Sequence, residues 1–378
     1  MRILVISGGS RGAVFPLIPL ATAARNAGHE VVVGVTENTL PTVASAGLPG
    51  LSLTTGTMPQ FMYKDRAGVP LVEPEDPDEW NLFNGRGMGR LAAASLSALM
   101  EFIENWKPQL IIGGSLSYAA PMVAKHYGIP FVRQALNMGE PENIDLGAVA
   151  ELAPELERLG LDAIPGEDLF VDICPPSVRP ADRTAPSQSM RYVPYNTHTP
   201  LEPWMYTRTA APRVIISAGS RVTRDYELEA LRSLVTKVTP LGYEMLIAVP
   251  DEVAAELRPL PEGSRAGWLP VDTLVRSSDL LVHRAGGNTM LSAMTAGIPQ
   301  LVVPAMPKQV GMTQTLVEYG AAMMLVDGED TPEAITAACQ ELLGDPSYKK
   351  RSEDIAAEIA ALPSPDDVVA VIEKLAAG

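Results

Sequence analysis

The chain has 378 residues, 46% of them hydrophobic and 20% charged, which suits a folded protein with two cores rather than one. A formal charge of −16 argues against nucleic acid as a partner, because phosphate backbones need a basic surface. Two cysteines, Cys174 and Cys339, and four scattered histidines make neither a disulfide scaffold nor a metal-ligand cluster. No apolar run is long enough to span a bilayer, and the first residues begin a strand rather than a signal peptide, so the expectation is a soluble, cytoplasmic, metal-independent protein without a cofactor.

Residues 2–7 read as the first strand, followed by the turn Gly8-Gly9-Ser10-Arg11-Gly12 and a helix over about 15–27. Further strands are expected at EVVVGV, at 109–114 and at 130–134, and apolar strands alternating with helices imply a parallel sheet covered on both faces. Residues 54–83 break that rhythm, with Met58, Phe61, Met62, Tyr63 and Trp80 set among prolines and acids; a long irregular insertion of this kind is expected to be a binding loop. The proline-rich stretch 174–212 reads as an interdomain linker. The βα rhythm restarts in the runs VIISAGS, YEMLIAV, DLLVH, PQLVV and AMMLV, and amphipathic helices are expected at 330–343, 348–362 and 365–377.

The chemistry concentrates in residues 279–309, where strand, Gly-containing turn, helix and strand follow one another. Free N–H groups at such a helix start favour a phosphate; Arg284 supplies a permanent cation, and Asn288 and Thr289 can donate. An ordinary βαβ turn without a ligand is the competing reading. The segment resembles the nucleotide-sugar signature of GT-B glycosyltransferases, written H-G-G-x-G-T in bacterial antibiotic enzymes and H-C-G-W-N-S in plant enzymes. Arg284 stands at the family's phosphate-contacting His; Gly286, Asn288 and Thr289 match the plant motif; Gly297, Pro299, Gln300 and Pro304 fit the G-x-P-Q-x-x-x-P continuation.

The resemblance implies an α/β, GT-B fold of two Rossmann-like parallel-sheet domains facing across a cleft. Residues 1–205 would bind the acceptor and include the linker, 206–364 would bind the nucleotide sugar, and 365–378 would form a C-terminal helix packing back on the first domain. It also implies a donor site of Ser217, Gly219, Ser220 and Arg221 in the SAGSR loop, Trp268 and Leu269 beside the base, and Arg284, Gly286, Gly287, Asn288 and Thr289 around the diphosphate. Gly219 is expected to be glycine so that the diphosphate can approach closely. Lys308 and Gln309 fall where the family places Asp-Gln against the donor sugar, and loss of the acid suits a deoxygenated sugar.

In many relatives the first loop carries a general base, but the matching residue here is Ala13. Ser10 and Asn137 are therefore read as acceptor-positioning residues for a phenol, which is more acidic than an alcohol. Capping of the first helix is the alternative role for Ser10. The runs DICPPS, RYVP, LEPWMYTR, SAGSR and YGAA are similar to those of angucycline olivosyltransferases of the urdamycin and landomycin kind. That similarity implies inverting transfer of a 2,6-dideoxyhexose, D-olivose, from its dTDP-sugar to an aromatic polyketide, with O-transfer slightly favoured over C-transfer. Met58, Phe61, Met62, Tyr63, Trp80 and Met88 would line the acceptor surface. A GT-B epimerase, a non-catalytic partner of a transferase, and a homodimeric assembly stay open; a dinucleotide oxidoreductase is disfavoured because the first turn lacks G-x-G-x-x-G.

Overall fold

Runs of apolar residues short enough to be strands, each followed by a helix, build two separate parallel sheets in the computed structural model, which describes residues 1–139, 143–179, 187–219, 228–304 and 307–377. The first sheet holds β1 (Arg2–Ile6), β2 (Glu30–Thr36), β3 (Gly50–Thr54), β4 (Leu110–Gly114), β5 (Phe131–Gln134), β6 (Leu169–Asp172) and β7 (Ser187–Ser189), in the order β3-β2-β1-β4-β5-β6-β7. The second holds β8 (Arg213–Ser217), β9 (Glu244–Ala248), β10 (Arg265–Gly267), β11 (Leu280–His283), β12 (Gln300–Val302) and β13 (Ala322–Met324), in the order β10-β9-β8-β11-β12-β13.

Each sheet thus runs outward from its first strand in one direction, then jumps back to that strand's other side. Loops leaving the two central strands diverge there, opening a crevice at the strands' carboxyl ends. The switch point lies between β1 and β4 in the first sheet and between β8 and β11 in the second. Both sheet faces are buried. In the second sheet Val214, Ile216, Leu280 and Val282 pack with Leu231, Leu234 and Ile335 on one side, and Ile215, Leu246 and Leu281 pack with Leu274 and Ala293 on the other. Strands buried on both faces lose the polar alternation of half-exposed strands, which is why they stand out as unbroken apolar runs.

The chain divides into two compact units: Met1–Ile173, Asp182–Arg191 and Leu362–Gly378 form the first, and Cys174–Ala181 with Tyr192–Ala361 form the second. The second unit begins earlier than residue 206 because the segment ahead of β8 is anchored into it. Arg213, almost fully buried, donates to the carbonyls of Trp204, Met205 and Thr207 and pairs with Glu244 at 3.0 Å. The C-terminal helix Pro365–Ala377 packs on the helix Ile18–Asn26, with His29 Nε2 and Glu373 Oε1 2.8 Å apart.

Two segments differ from the sequence expectation. Residues 54–83 are not irregular throughout: a short helix, Met58–Tyr63, and the start of a 30-residue helix, Pro77–Trp106, flank the irregular residues 64–76, and Asp76 caps the long helix through the N–H groups of Asp78 and Glu79. The stretch 174–212 is also more than a linker, since β7 lies within it and extends the first sheet beside β6. The long helix meets the helix Asn143–Leu159 backbone to backbone. A Cβ added at Gly85 would lie 1.9 Å from the Ile144 carbonyl oxygen, and one at Gly147 would lie 2.1 Å from that of Leu82.

Candidate functional site

In the second unit, the helix Gly287–Ala296 starts directly after β11, with Gly286 as its N-cap and no side-chain cap on its first turn. Its first N–H groups and the positive end of its dipole therefore face the crevice at the switch point, ready for an anion. The turn that delivers the helix contains Ala285 at φ 53°, a left-handed conformation that L side chains rarely adopt. The loop after β8 is tied to this turn, because Arg284 N–H donates to the Ser217 carbonyl at 3.2 Å. Gly219 has φ 84°, and a Cβ built there meets nothing within 4 Å. Its glycine is demanded by the backbone, and its surroundings leave room beside it.

The donor-site candidates gather around these two loops. Ser217 is buried at the end of β8, and its Oγ accepts from Gly219 N–H at 3.1 Å. Arg284, Gly286, Gly287, Asn288 and Thr289 are all half-buried along the turn and the first helical turn. Gln309 is buried, and its amide reaches back to the Ala285 carbonyl at 3.3 Å, fastening the helix Pro307–Tyr319 to the turn. Lys308 lies in the first turn of that helix. Trp268 is half-buried, with its backbone N–H held by Asp251 Oδ1 at 2.9 Å, while Leu269 packs against the apolar cluster on one face of the second sheet. Ser220 and Arg221 lie outside the described residues.

Two supports of the turn, His283 and Tyr192, escaped the motif reading, as did the role of a third, Gln300. His283 ends β11 fully buried, and its Nε2 lies 2.9 Å from Gln300 Oε1, whose amide in turn donates to the Met290 carbonyl. Burial holds the His283 pKa down to about 4, so the ring is neutral at neutral pH and cannot itself hold a phosphate by charge. The Tyr192 hydroxyl approaches the Asn288 carbonyl at 3.4 Å, and burial raises its pKa well above the ordinary phenol range. Gln300 belonged to a recognised motif, yet only its strand register with His283 reveals why an amide stands there.

In the first unit, Ser10 is the N-cap of the four-residue helix Arg11–Val14 after β1, and its carbonyl accepts from Ala13 and Val14. Asn137 follows β5, and its Oδ1 accepts from Gly139 N–H at 2.9 Å. Among the aromatic and methionine candidates, Met58 reaches the first loop: a Cβ at Gly9 would lie 2.6 Å from its Sδ. Phe61 and Met62 cover Gly56 and Gly87 in the same way. Tyr63 and Trp80 converge on the Glu73 carboxylate, whereas Met88 packs against the core of the unit. The carbonyls of Phe61 and Met62 accept from buried Arg90, which also pairs with Glu151; Arg66 binds Glu151 and Glu155 alongside. An open concavity of about 830 Å³ lies beside this clasp, lined by Leu71, Val72, Phe83, Arg86 and Glu151, and none of the six acceptor candidates lines it.

Among the described residues no group of three His, Cys, Asp or Glu side chains is arranged to hold a metal, and no helix is long and apolar enough to cross a membrane. Family models place the chain. Residues 22–219 match the model described as erythromycin biosynthesis protein CIII-like, N-terminal domain, and residues 232–375 match its C-terminal domain. The chain belongs to the EryCIII-like family. It is a glycosyltransferase of GT-B architecture. This EryCIII-like chain is 32% identical to the L-demethylnoviosyl transferase of Streptomyces niveus, over 100% of this chain and 98% of the relative. It is 30% identical to the elloramycin glycosyltransferase ElmGT of Streptomyces olivaceus, over 98% and 96%. The crystal structure of glycosyltransferase SsfS6 of Streptomyces sp. SF2575, complexed with thymidine diphosphate, superposes with a TM-score of 0.87 at 37% identity, covering 99% of each chain.

Proposed function

We propose that this EryCIII-like protein is an inverting transferase that moves a 2,6-dideoxyhexose, D-olivose in our reading, from its dTDP-sugar to an aromatic polyketide of the angucyclinone kind. The observation that carries this reading is the uncapped start of the helix Gly287–Ala296 at the switch point of the second sheet, beside Arg284. Thymidine diphosphate bound to the similar SsfS6 supports a diphosphate as the occupant. In the reaction the acceptor oxygen attacks the anomeric carbon, the bond to the diphosphate breaks, and its electrons leave with the phosphate oxygen. Helix N–H groups, Arg284, Asn288 and Thr289 stabilise the charge that develops there. Gln309, Trp268, Leu269 and the loop from Ser217 to Gly219 complete the donor site in this reading.

Ser10 and Asn137 orient the acceptor, while Met58 and the neighbouring aromatic side chains supply apolar surface. Ala13 leaves the usual base position empty of a titratable group, which favours a phenol that loses its proton readily. O-transfer is favoured over C-transfer because Asn137 has no carboxylate to deepen deprotonation of the ring. The test is mass spectrometry of products from dTDP-olivose and a set of angucyclinones, followed by mild acid. An adduct released by acid is the expected O-glycoside, and one that survives is a C-glycoside. Tight dTDP binding with no adduct from any acceptor would replace this reading by a nucleotide-binding partner of another transferase.

A further inference from the structure

The turn that delivers the helix Gly287–Ala296 is held from behind by a side chain far along the sequence. Gln309 Nε2 donates to the Ala285 carbonyl at 3.3 Å. A carbonyl oxygen can only accept, so the amide nitrogen is the atom that faces it. Gln309 is itself fixed: it is 7% exposed, and its own carbonyl accepts from the Thr313 hydroxyl at 2.7 Å within the helix Pro307–Tyr319. Its partner Ala285 is buried at φ 53°, a conformation that an L residue keeps only where its surroundings impose it.

In a planar trans peptide the N–H points opposite to the C=O. With the Ala285 carbonyl turned to Gln309, the Gly286 N–H is turned the other way. Among the described residues, the N–H groups of Gly286, Gly287 and Thr289 have no hydrogen-bond partner, whereas Met290 N–H donates to the Gly286 carbonyl at 2.9 Å. The Thr289 hydroxyl lies beside the same point, since a Cβ built on Gly286 would lie 3.3 Å from its Oγ1. The peptide that Gln309 grips therefore opens a row of donors.

We propose that Gln309 is a positioning residue for the diphosphate, aiming the Gly286 N–H, and not a contact of the donor sugar; this rests on the reading of that helix start as the diphosphate site. A sugar hydroxyl needs an accessible amide, and this one is buried with its nitrogen spent on the chain's own backbone. Without that donor the Ala285 carbonyl is free to turn, and its negative end would then repel a phosphate oxygen in place of the N–H that attracts it.

Calorimetric titration of Gln309→Met with thymidine diphosphate and with dTDP-glucose tests this, because methionine keeps the bulk of the side chain without its donor. Both ligands are expected to bind about tenfold more weakly, and by the same factor, although only one carries a sugar. In protein labelled with 15N-glycine, the Gly286 amide proton should move downfield when thymidine diphosphate binds to the wild type, and less in the variant. A weakening confined to dTDP-glucose would make Gln309 a sugar contact and overturn the proposal. A lower melting temperature with both affinities unchanged would mean that Gln309 serves only the fold, and overturns it too. So does a Gly286 signal that thymidine diphosphate leaves unmoved in the wild type. Gln309→Asn, whose amide stops one methylene short of the carbonyl, replaces the methionine variant if that one fails to fold, with the same outcomes. Wild-type protein that binds no thymidine diphosphate strikes the donor reading itself.

Discussion

Each unit places a glycine-containing turn after a strand that borders its switch point, β1 in the first sheet and β11 in the second, yet the two finish it differently. After β11 the chain enters a ten-residue helix with an uncapped start, beside Arg284. After β1 the chain is helical over residues 11–26, but in three pieces: the four-residue helix Arg11–Val14, a 3₁₀ turn, Phe15–Leu17, in which Pro16 supplies no N–H, and the helix Ile18–Asn26. The 3₁₀ turn interrupts the row of aligned peptides behind the first N–H groups of that run. One scaffold thus yields a site for an anion and, in our proposal, a site for an uncharged acceptor. The distinction resides in the helix that each strand feeds, a continuous α-helix in one unit and one interrupted after its first turn by a 3₁₀ segment in the other.

The contrast can be broken most forcefully in the first unit. Gly85→Ala drives a methyl group into the Ile144 carbonyl and should cost about 3 kcal/mol in chemical denaturation. Thymidine diphosphate affinity should survive under native conditions, because the second unit has its own core. In the second unit, acid is the lever. His283 is held neutral, with a pKa of about 4 against an ordinary value near 6.5, so the unfolded chain binds the proton more readily. The stability this ring contributes is intact above pH 6.5 and is lost as the pH falls towards 4, up to about 3 kcal/mol. Urea midpoints compared at pH 7 and pH 5 should fall for the wild type and flatten for His283→Gln; parallel curves would show that another group governs the acid response.

Arg284→Ala should weaken thymidine diphosphate binding by roughly 1.5–3 kcal/mol in calorimetry, as expected for a charge-assisted contact. An unchanged affinity would remove the arginine from the diphosphate site and leave the helix start alone to explain the contrast. The smallest effect is expected at Ala285, whose φ of 53° is unfavourable for alanine. Ala285→Gly should raise the free energy of unfolding by about 1 kcal/mol; a loss instead would mean that the extra freedom of glycine in the unfolded chain outweighs the relief.

How much of the molecule is legible in its sequence depends on how local each signal is. Strands buried on both faces announce themselves as apolar runs, and the diphosphate turn is contiguous in the chain, so the sequence alone places Arg284, Gly286 and Asn288 together. The long helix is hidden because Gly85, Gly87 and Gly89 weaken helix propensity, and their reason for being there is contact with other helices. β7 is hidden by the prolines around it and by its polar sequence Ser-Gln-Ser at a sheet edge. Asp76-Pro77-Asp78-Glu79 does carry a helix-start signal, an N-cap followed by proline and acids, which outweighs the reading of that stretch as loop.

The clasp of Arg90 and Arg66 on the segment after β3 bears on how such proteins diversify. Arg90 grips the carbonyls of Phe61 and Met62, groups that every residue possesses, and both arginines are anchored on Glu151 of a neighbouring helix. The fastening is therefore blind to the side chains it holds. Met58, Phe61, Met62 and Tyr63 can be exchanged for other residues while the grip persists, which makes this stretch a natural cassette for grafting between relatives and for directed evolution of substrate range.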